Sequence, residues 1–230
     1  MKTLLAAIVF AISAFQTSAN ASVIVTSVGK TPQAAVAGST YITFEDVAVG
    51  TVGAFSSGGY GFTGNGGIAT GTNGHPIPHL QPKFDTTNFL AVGSSAGISS
   101  ASSTTATLSL GSDYSKFGFY WGSIDGTNSV SFLNDGVTVF SLAGGDVPHV
   151  NLNSNALNSA NRNRYVNFDF TGKLFFDQVV FGSSSGTFEV DNLALAGAAP
   201  EPSTWALMLI GFAGLGMMTY RRAKKLPASA

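Results

Sequence analysis

Residues 129–142 read SVSFLNDGVTVFSL, two runs of alternating apolar and polar residues joined by Asn134-Asp135-Gly136. Asp-Gly supplies the positive φ angles that a tight turn requires, so this stretch predicts a β-hairpin. The period of two extends outward in both directions. NFLAVG (88–93), TATLSL (105–110) and SKFGFYWGS (115–123) precede the hairpin; RYVNFDFTG (164–172), KLFFDQVVFG (173–182) and TFEVDNLAL (187–195) follow it. Further upstream, TYITFEDV (40–47) puts Ile42 and Phe44 on one face and Tyr41, Thr43 and Glu45 on the other. The Gly-, Ser- and Asn-rich stretch 53–84 predicts long loops around one or two short strands. Eight or nine short strands at this spacing predict a mainly β chain, a jelly-roll-like antiparallel β-sandwich. No amphipathic helical pattern lies between the two ends, which argues against α/β folds. No fixed repeat argues for a solenoid.

The two ends differ from this body. Residues 1–21 carry Lys2, an apolar run from Leu4 to Phe15 and the small-x-small triplet Ala19-Asn20-Ala21. That order predicts a secretory signal peptide cut before Ser22, since the apolar run is short for a spanning helix. The body, residues 22–199, is long enough to bury a core. It holds six basic residues against eleven acidic ones, so it lacks the basic face that nucleic acid requires. The 230-residue chain contains no cysteine. An exported domain without disulfides relies on burial, on a metal, or on both.

Familiar catalytic strings lose their meaning in context. GSSAG around Ser95 and GSSSG around Ser184 fit the nucleophile-elbow pattern, but neither leads into the helix that elbow needs. GYGFTG (59–64) fits the dinucleotide pattern and lacks its helix too. His75 and His79 are separated by Pro76 and Pro78, which forbid stacking them on one helical face; solvated loop histidines, or a loop metal site, remain.

FGFYWGS (117–123) read as a strand sends Phe117, Phe119 and Trp121 to one face, the core. Tyr120 faces the other way between Gly118 and Gly122. Bare sheet beside an aromatic ring suits either a second packed layer or a stacking platform for a sugar ring, with Tyr120 as the platform residue. The carboxylates group near the first and last strands, Glu45 and Asp46 in one, Glu189 and Asp191 in the other. This arrangement resembles bacterial jelly-roll carbohydrate-binding modules. The resemblance implies a structural calcium shared by Glu45, Asp46, Glu189 and Asp191, hard oxygen donors that suit Ca²⁺. The alternative is enzymatic, with Glu189 and Asp191 as the paired carboxylates of a secreted carbohydrate-active enzyme.

Residues 199–225 read APEPSTWALMLIGFAGLGMMTYRRAKK. Pro200-Glu201-Pro202 leads to Trp205-Ala206, an apolar segment at about 205–220, and the basic stop Arg221, Arg222, Lys224 and Lys225. Tripeptide, helix and basic cluster in this order resemble the PEP-CTERM sorting signal of Gram-negative bacteria, in its PEPxxWA form, over residues 200–230. The physics agrees. Sixteen residues make about 24 Å of helix, short of a ~30 Å hydrocarbon core. Trp205 and Tyr220 bracket the span as interfacial anchors, and the basic cluster fixes its cytoplasmic end. The resemblance implies an exosortase as processing partner, transient residence in the inner membrane, and release or transfer to the cell surface or extracellular space in bacteria that make exopolysaccharide. A permanent single-span anchor is the alternative. The body is then expected to be a non-enzymatic surface or biofilm-matrix protein that interacts with exopolysaccharide.

Overall fold

The computed structural model describes residues 21–31, 38–70, 84–93, 105–153, 161–197 and 208–217. Twelve strands run through these residues: β1 (Ser22–Gly29), β2 (Thr40–Ile42), β3 (Phe55–Ser57), β4 (Tyr60–Gly64), β5 (Gly66–Thr70), β6 (Asn88–Val92), β7 (Thr105–Gly122), β8 (Asn128–Asn134), β9 (Val137–Ala143), β10 (Arg164–Thr171), β11 (Phe176–Ser183) and β12 (Phe188–Gly197). All pairings are antiparallel. The 3₁₀ turn Gly144–Asp146 follows β9.

The two runs expected at 105–110 and 115–123 are one strand, β7, and it joins two sheets. Its first half pairs with β4 and β11, its second half with β12 and β10. The partners change around Gly111, whose φ of 70° is open to glycine at little cost. One sheet therefore carries β3-β4-β7-β11-β8-β9. The other carries β5-β6-β12-β7-β10-β1, with β2 beside the second half of β12. Side chains from both inner faces meet in one core. Phe119 of β7 contacts Phe181 of β11, with ring centroids 5.5 Å apart; Phe132 of β8 contacts Phe168 of β10 at 4.8 Å. The predicted sandwich is thus present, closed by aromatic rings rather than by disulfides.

The hairpin lies where the sequence places it, as β8 and β9 joined by Asp135 (φ 49°) and Gly136 (φ 77°). TYITFEDV is less regular than expected. Its strand ends at Ile42, and Phe44 takes a φ of 59°, so both side chains still reach the core although the alternation stops. β1 was not singled out as a strand. Its alternating half-buried side chains cover β10 at an edge of the sheet. Residues 208–217 are helical and exposed. Among the described residues no helix is long and apolar enough to cross a membrane. Residues 1–20 of the expected signal peptide, residues 198–207 and residues 218–230 lie outside the described residues.

Candidate functional site

β12 is the last strand of the body and a central one, lying between β6 and β7. Period two turns Phe188 and Val190 into the core and Glu189 and Asp191 to the outer face. At Asn192 (φ 50°) the register with β7 shifts, a bulge that resets which residues face inward.

The outer face is covered, not bare. Gly118 has no side chain because Tyr165 crosses it: a Cβ there would stand 2.7 Å from the Tyr165 ring and from Asn167 Oδ1. The Tyr165 hydroxyl donates to the Asn192 carbonyl at 3.0 Å. Tyr120 packs with Tyr165 and Ala194 in this second layer and is 0% exposed. The platform reading of Tyr120 is therefore corrected: a ring enclosed on all sides offers no face to a sugar. Burial, with the charge of Asp85 beside it, pushes its hydroxyl well above the usual tyrosine range.

Asp191 belongs to a buried pair. Thr87 Oγ1 lies 2.8 Å from Asp191 Oδ2 and also hydrogen-bonds Asp85 Oδ1. Asn192 reaches both acids, its backbone N–H donating to Asp191 Oδ1 at 2.6 Å and its Nδ2 donating to Asp85 Oδ2 at 2.8 Å. Asp85 is 5% exposed and Asp191 0%. A hydroxyl has one proton to give, so Thr87 cannot donate to two carboxylates. The second contact needs a proton on one acid or a cation between them. Burial pushes the Asp191 carboxyl up to about 9, and the neighbouring Asp85 adds to the rise.

The expected calcium ligands do not meet at one site. Glu45 and Asp191 each reach the same turn through a different residue: Asn88 N–H donates to Glu45 Oε1 at 2.7 Å, while Thr87 binds Asp191. Asp46 points elsewhere. It accepts from Ser57 Oγ at 2.5 Å and from Gly58 N at 2.8 Å, and these bonds hold its carboxyl below the usual range. Glu189 is also apart, beside Gly122 of β7 and Ala91 of β6. It is fully buried, neither carboxyl oxygen has a hydrogen-bond partner, and burial drives it well above the usual carboxylate range. The nearby Ser123 hydroxyl favours its charged form only weakly, lacking hydrogen-bond geometry itself.

The four-acid site is therefore corrected. Asp46 and Glu189 leave it, Glu45 holds the turn from outside, and Asp85 joins Asp191. Among the described residues no three His, Asp or Glu side chains stand together as a metal set. Asp85 was not singled out in the sequence. Its only local signal is the Asp-Thr-Thr step of FDTTN, where Asp85 Oδ1 accepts from the Thr87 backbone at 3.1 Å. For the paired-carboxylate reading, Glu189 and Asp191 share a face, but both are enclosed. Ser184 sits in the turn between β11 and β12, where its N–H donates to the Thr127 carbonyl at 3.0 Å. His149 is exposed, while Ser95, His75 and His79 lie outside the described residues.

Residues 198–223 match a family model described as the PEP-CTERM protein-sorting motif. The chain carries that motif, which marks it for exosortase-type processing and membrane-associated export to the cell surface or extracellular space. Pro200, Glu201, Pro202, Trp205 and Ala206 fall within the match, as do Arg221 and Arg222; Lys224 and Lys225 follow it. No curated protein matches the chain. Among solved structures, the K2 cleaved adhesin domain of Lys-gingipain is similar at a TM-score of 0.38 and 13% identity, covering 71% of this chain and 100% of that one.

Proposed function

From the sorting motif and the closed sandwich joined to it, we propose that this is a non-catalytic surface or matrix protein whose body interacts with exopolysaccharide. One observation supports the non-catalytic part of the reading above others. The acids that could serve as a catalytic pair, Glu189 and Asp191, are both fully buried rather than set in an open groove. A polysaccharide chain must thread past an acid and a base to be cut, and an enclosed pair offers no such path. Ligand contact then falls to the exposed polar surface of the sheets and turns.

A calcium ion belongs to the same proposal, in a different place from the one first expected. Asp85 and Asp191 would hold it, with the Thr87 hydroxyl beside them. Bound there, the ion supplies positive charge to two buried carboxylates and ties the 85–88 turn to the closing strand. Oxygen donors of this kind suit Ca²⁺, and a cysteine-free exported fold gains a cross-link it otherwise lacks.

The test is retention of purified residues 22–199 on the host's own exopolysaccharide, with and without a calcium chelator. Retention without sugar release is expected, weakened by the chelator. Release of reducing ends overturns the non-catalytic reading, and absence of retention under every condition overturns the polysaccharide partner. Intact mass of the mature protein checks the sorting step separately: the expected mass lacks Arg221 and everything after it, and a mature chain that retains Arg221 is a permanent anchor instead.

A further inference from the structure

The strand registers place both ends of the body at one pole. Ser22, the first residue of β1, pairs with Thr171 of β10. Two residues back along β10, Asp169 pairs with Lys116 of β7, and Lys116 in turn pairs with Ala196 of β12. Gly197, the last residue of β12, pairs with Tyr114. Ser22, Thr171, Tyr114 and Gly197 therefore form one row across four neighbouring strands. At a strand spacing of about 4.8 Å, the two ends leave the body roughly 14 Å apart. The other pole holds Gly29, Arg164, Gly122 and Glu189.

The carboxyl end has almost no tether. The sorting-motif match begins at residue 198, immediately after Gly197, and Pro200 is three residues beyond the strand. Three residues span at most about 11 Å even when fully extended. One packed helix with its side chains is about 10–12 Å across. An enzyme that closes around Pro200–Pro202 must therefore bring its own surface against the pole of the body. Gly197 cannot lengthen the tether cheaply, because Leu193 and Leu195 just before it are buried in the core and paired to β2.

We propose that this pole, built from the start of β1, the end of β12 and the bend of β7, is the face the body presents to its membrane-bound processing enzyme, so that the fold is part of what the enzyme accepts as substrate. The proposal rests on exosortase-type processing of the motif. The charge of the pole favours a protein occupant over lipid. Asp113, Asp135, Asp169 and Asp177 stand there against Lys116 and Lys173, a net acidic face. Anionic bilayers attract basic clusters and repel such a surface.

The absence of cysteine allows a direct test with the full-length precursor in spheroplasts that contain the enzyme. Ser112→Cys puts a unique thiol on the exposed bend of β7 at this pole; Gly126→Cys puts one in the exposed turn between β7 and β8 at the other. Each is labelled with a bulky polymer maleimide, and loss of the tail is followed with time. We expect the adduct at 112 to slow processing at least tenfold and the adduct at 126 to leave it at the parental rate. Eight Gly/Ser residues inserted after Gly197 should restore the rate at 112. Protease resistance of each labelled body controls for folding. Equal processing of both adducts overturns the proposal while leaving exosortase sorting intact. A parent that never loses its tail overturns the sorting reading and the proposal with it. Binding of the tailless body to anionic phospholipid vesicles without enzyme assigns the pole to lipid, and also overturns it.

Discussion

Replacing Asp191 by Asn tests the buried acid pair through its dependence on pH. In the folded protein the Asp191 carboxyl is raised to about 9 from an ordinary value of 3.8, by burial first and by Asp85 second. A raised carboxyl binds its proton more tightly when folded, so the contribution to stability is complete below about pH 4. It is lost as the pH climbs toward about 9, because only the unfolded chain releases the proton over that range. Each pH unit costs about 1.4 kcal/mol. Between pH 3.8 and pH 7 the loss reaches about 4 kcal/mol, an order-of-magnitude ceiling that corresponds to roughly 10 °C in Tm for a domain this size. On the proposed calcium site the ion would invert the dependence, since it would bind the deprotonated pair and displace the proton. The amide introduced by Asp191→Asn mimics the protonated acid: its carbonyl accepts from Asn192 N–H, its NH₂ donates to Thr87, and Thr87 keeps its bond to Asp85. The expected result in chelator is a parent that loses stability steadily from pH 5 to pH 8, and a D191N variant that loses less, keeping only the share due to the equally buried Glu189, and is more stable than the parent at pH 7. In millimolar calcium the parent recovers and D191N does not respond. Thermal melts across that pH series decide the matter. A parent that is flat in chelator refutes the reasoning, because it means the buried carboxylate ionises at no cost.

Two further substitutions probe the layers on either side of β7. Phe132→Ala removes a ring that meets Phe117, Phe168, Phe170 and Phe176, so it opens a cavity between the sheets. A loss of about 3–5 kcal/mol is expected, read as a lower urea midpoint at unchanged m-value. Gly118→Ala pushes a methyl group against Tyr165 and Asn167 on the outer face, and a loss of about 1–3 kcal/mol is expected from the forced displacement. Near-UV circular dichroism should change with it, since Tyr165 and Tyr120 pack together. An unchanged spectrum and midpoint would mean that the second layer is loosely held.

The fold was legible where local chemistry and tertiary position agree. The 129–142 hairpin needs only its Asp-Gly turn and its alternation, both of which survive in β8 and β9. The face of Phe117, Phe119 and Trp121 follows from period two alone. What escaped was long-range. Nothing in TATLSLGSDYSKFGFYWG says that one strand serves two sheets, because the bend at Gly111 depends on β4, β11, β10 and β12 all finding their places. The glycines beside Tyr120 announce empty space without naming its occupant, and Tyr165 lies 45 residues downstream in the sequence. The acid cluster was half legible for the same reason. Glu45 and Asp191 stand out by type and position, yet Asp85, just past the Gly-, Ser- and Asn-rich stretch 53–84 that reads as loop, completes the pair from 106 residues away. Periodicity assigns Glu189 and Asp191 to one face, and cannot distinguish a solvated face from one covered by a second layer.

The position of β12 sets a sharp boundary for any cut that is to release a folded body. Phe188, Val190, Leu193 and Leu195 are each almost fully buried, and the strand is hydrogen-bonded to β6, β2 and β7. Burying such side chains is worth about 1.5–3 kcal/mol apiece, so the four together contribute roughly 6–12 kcal/mol. That equals the whole net stability of an ordinary domain, about 5–15 kcal/mol. Losing β12 should therefore unfold the sandwich, whereas the described residues beyond Gly197, 208–217, are helical and add no strand to it. A chain ending at residue 197 is expected to unfold cooperatively in urea with the midpoint of the full body, and one ending at residue 187 to show no cooperative transition. A cooperative transition in the shorter chain would show that β12 is an accessory to the fold. Its absence, together with full stability at 197, leaves the sorting machinery a window that opens at Ala198, only two residues before the Pro-Glu-Pro motif.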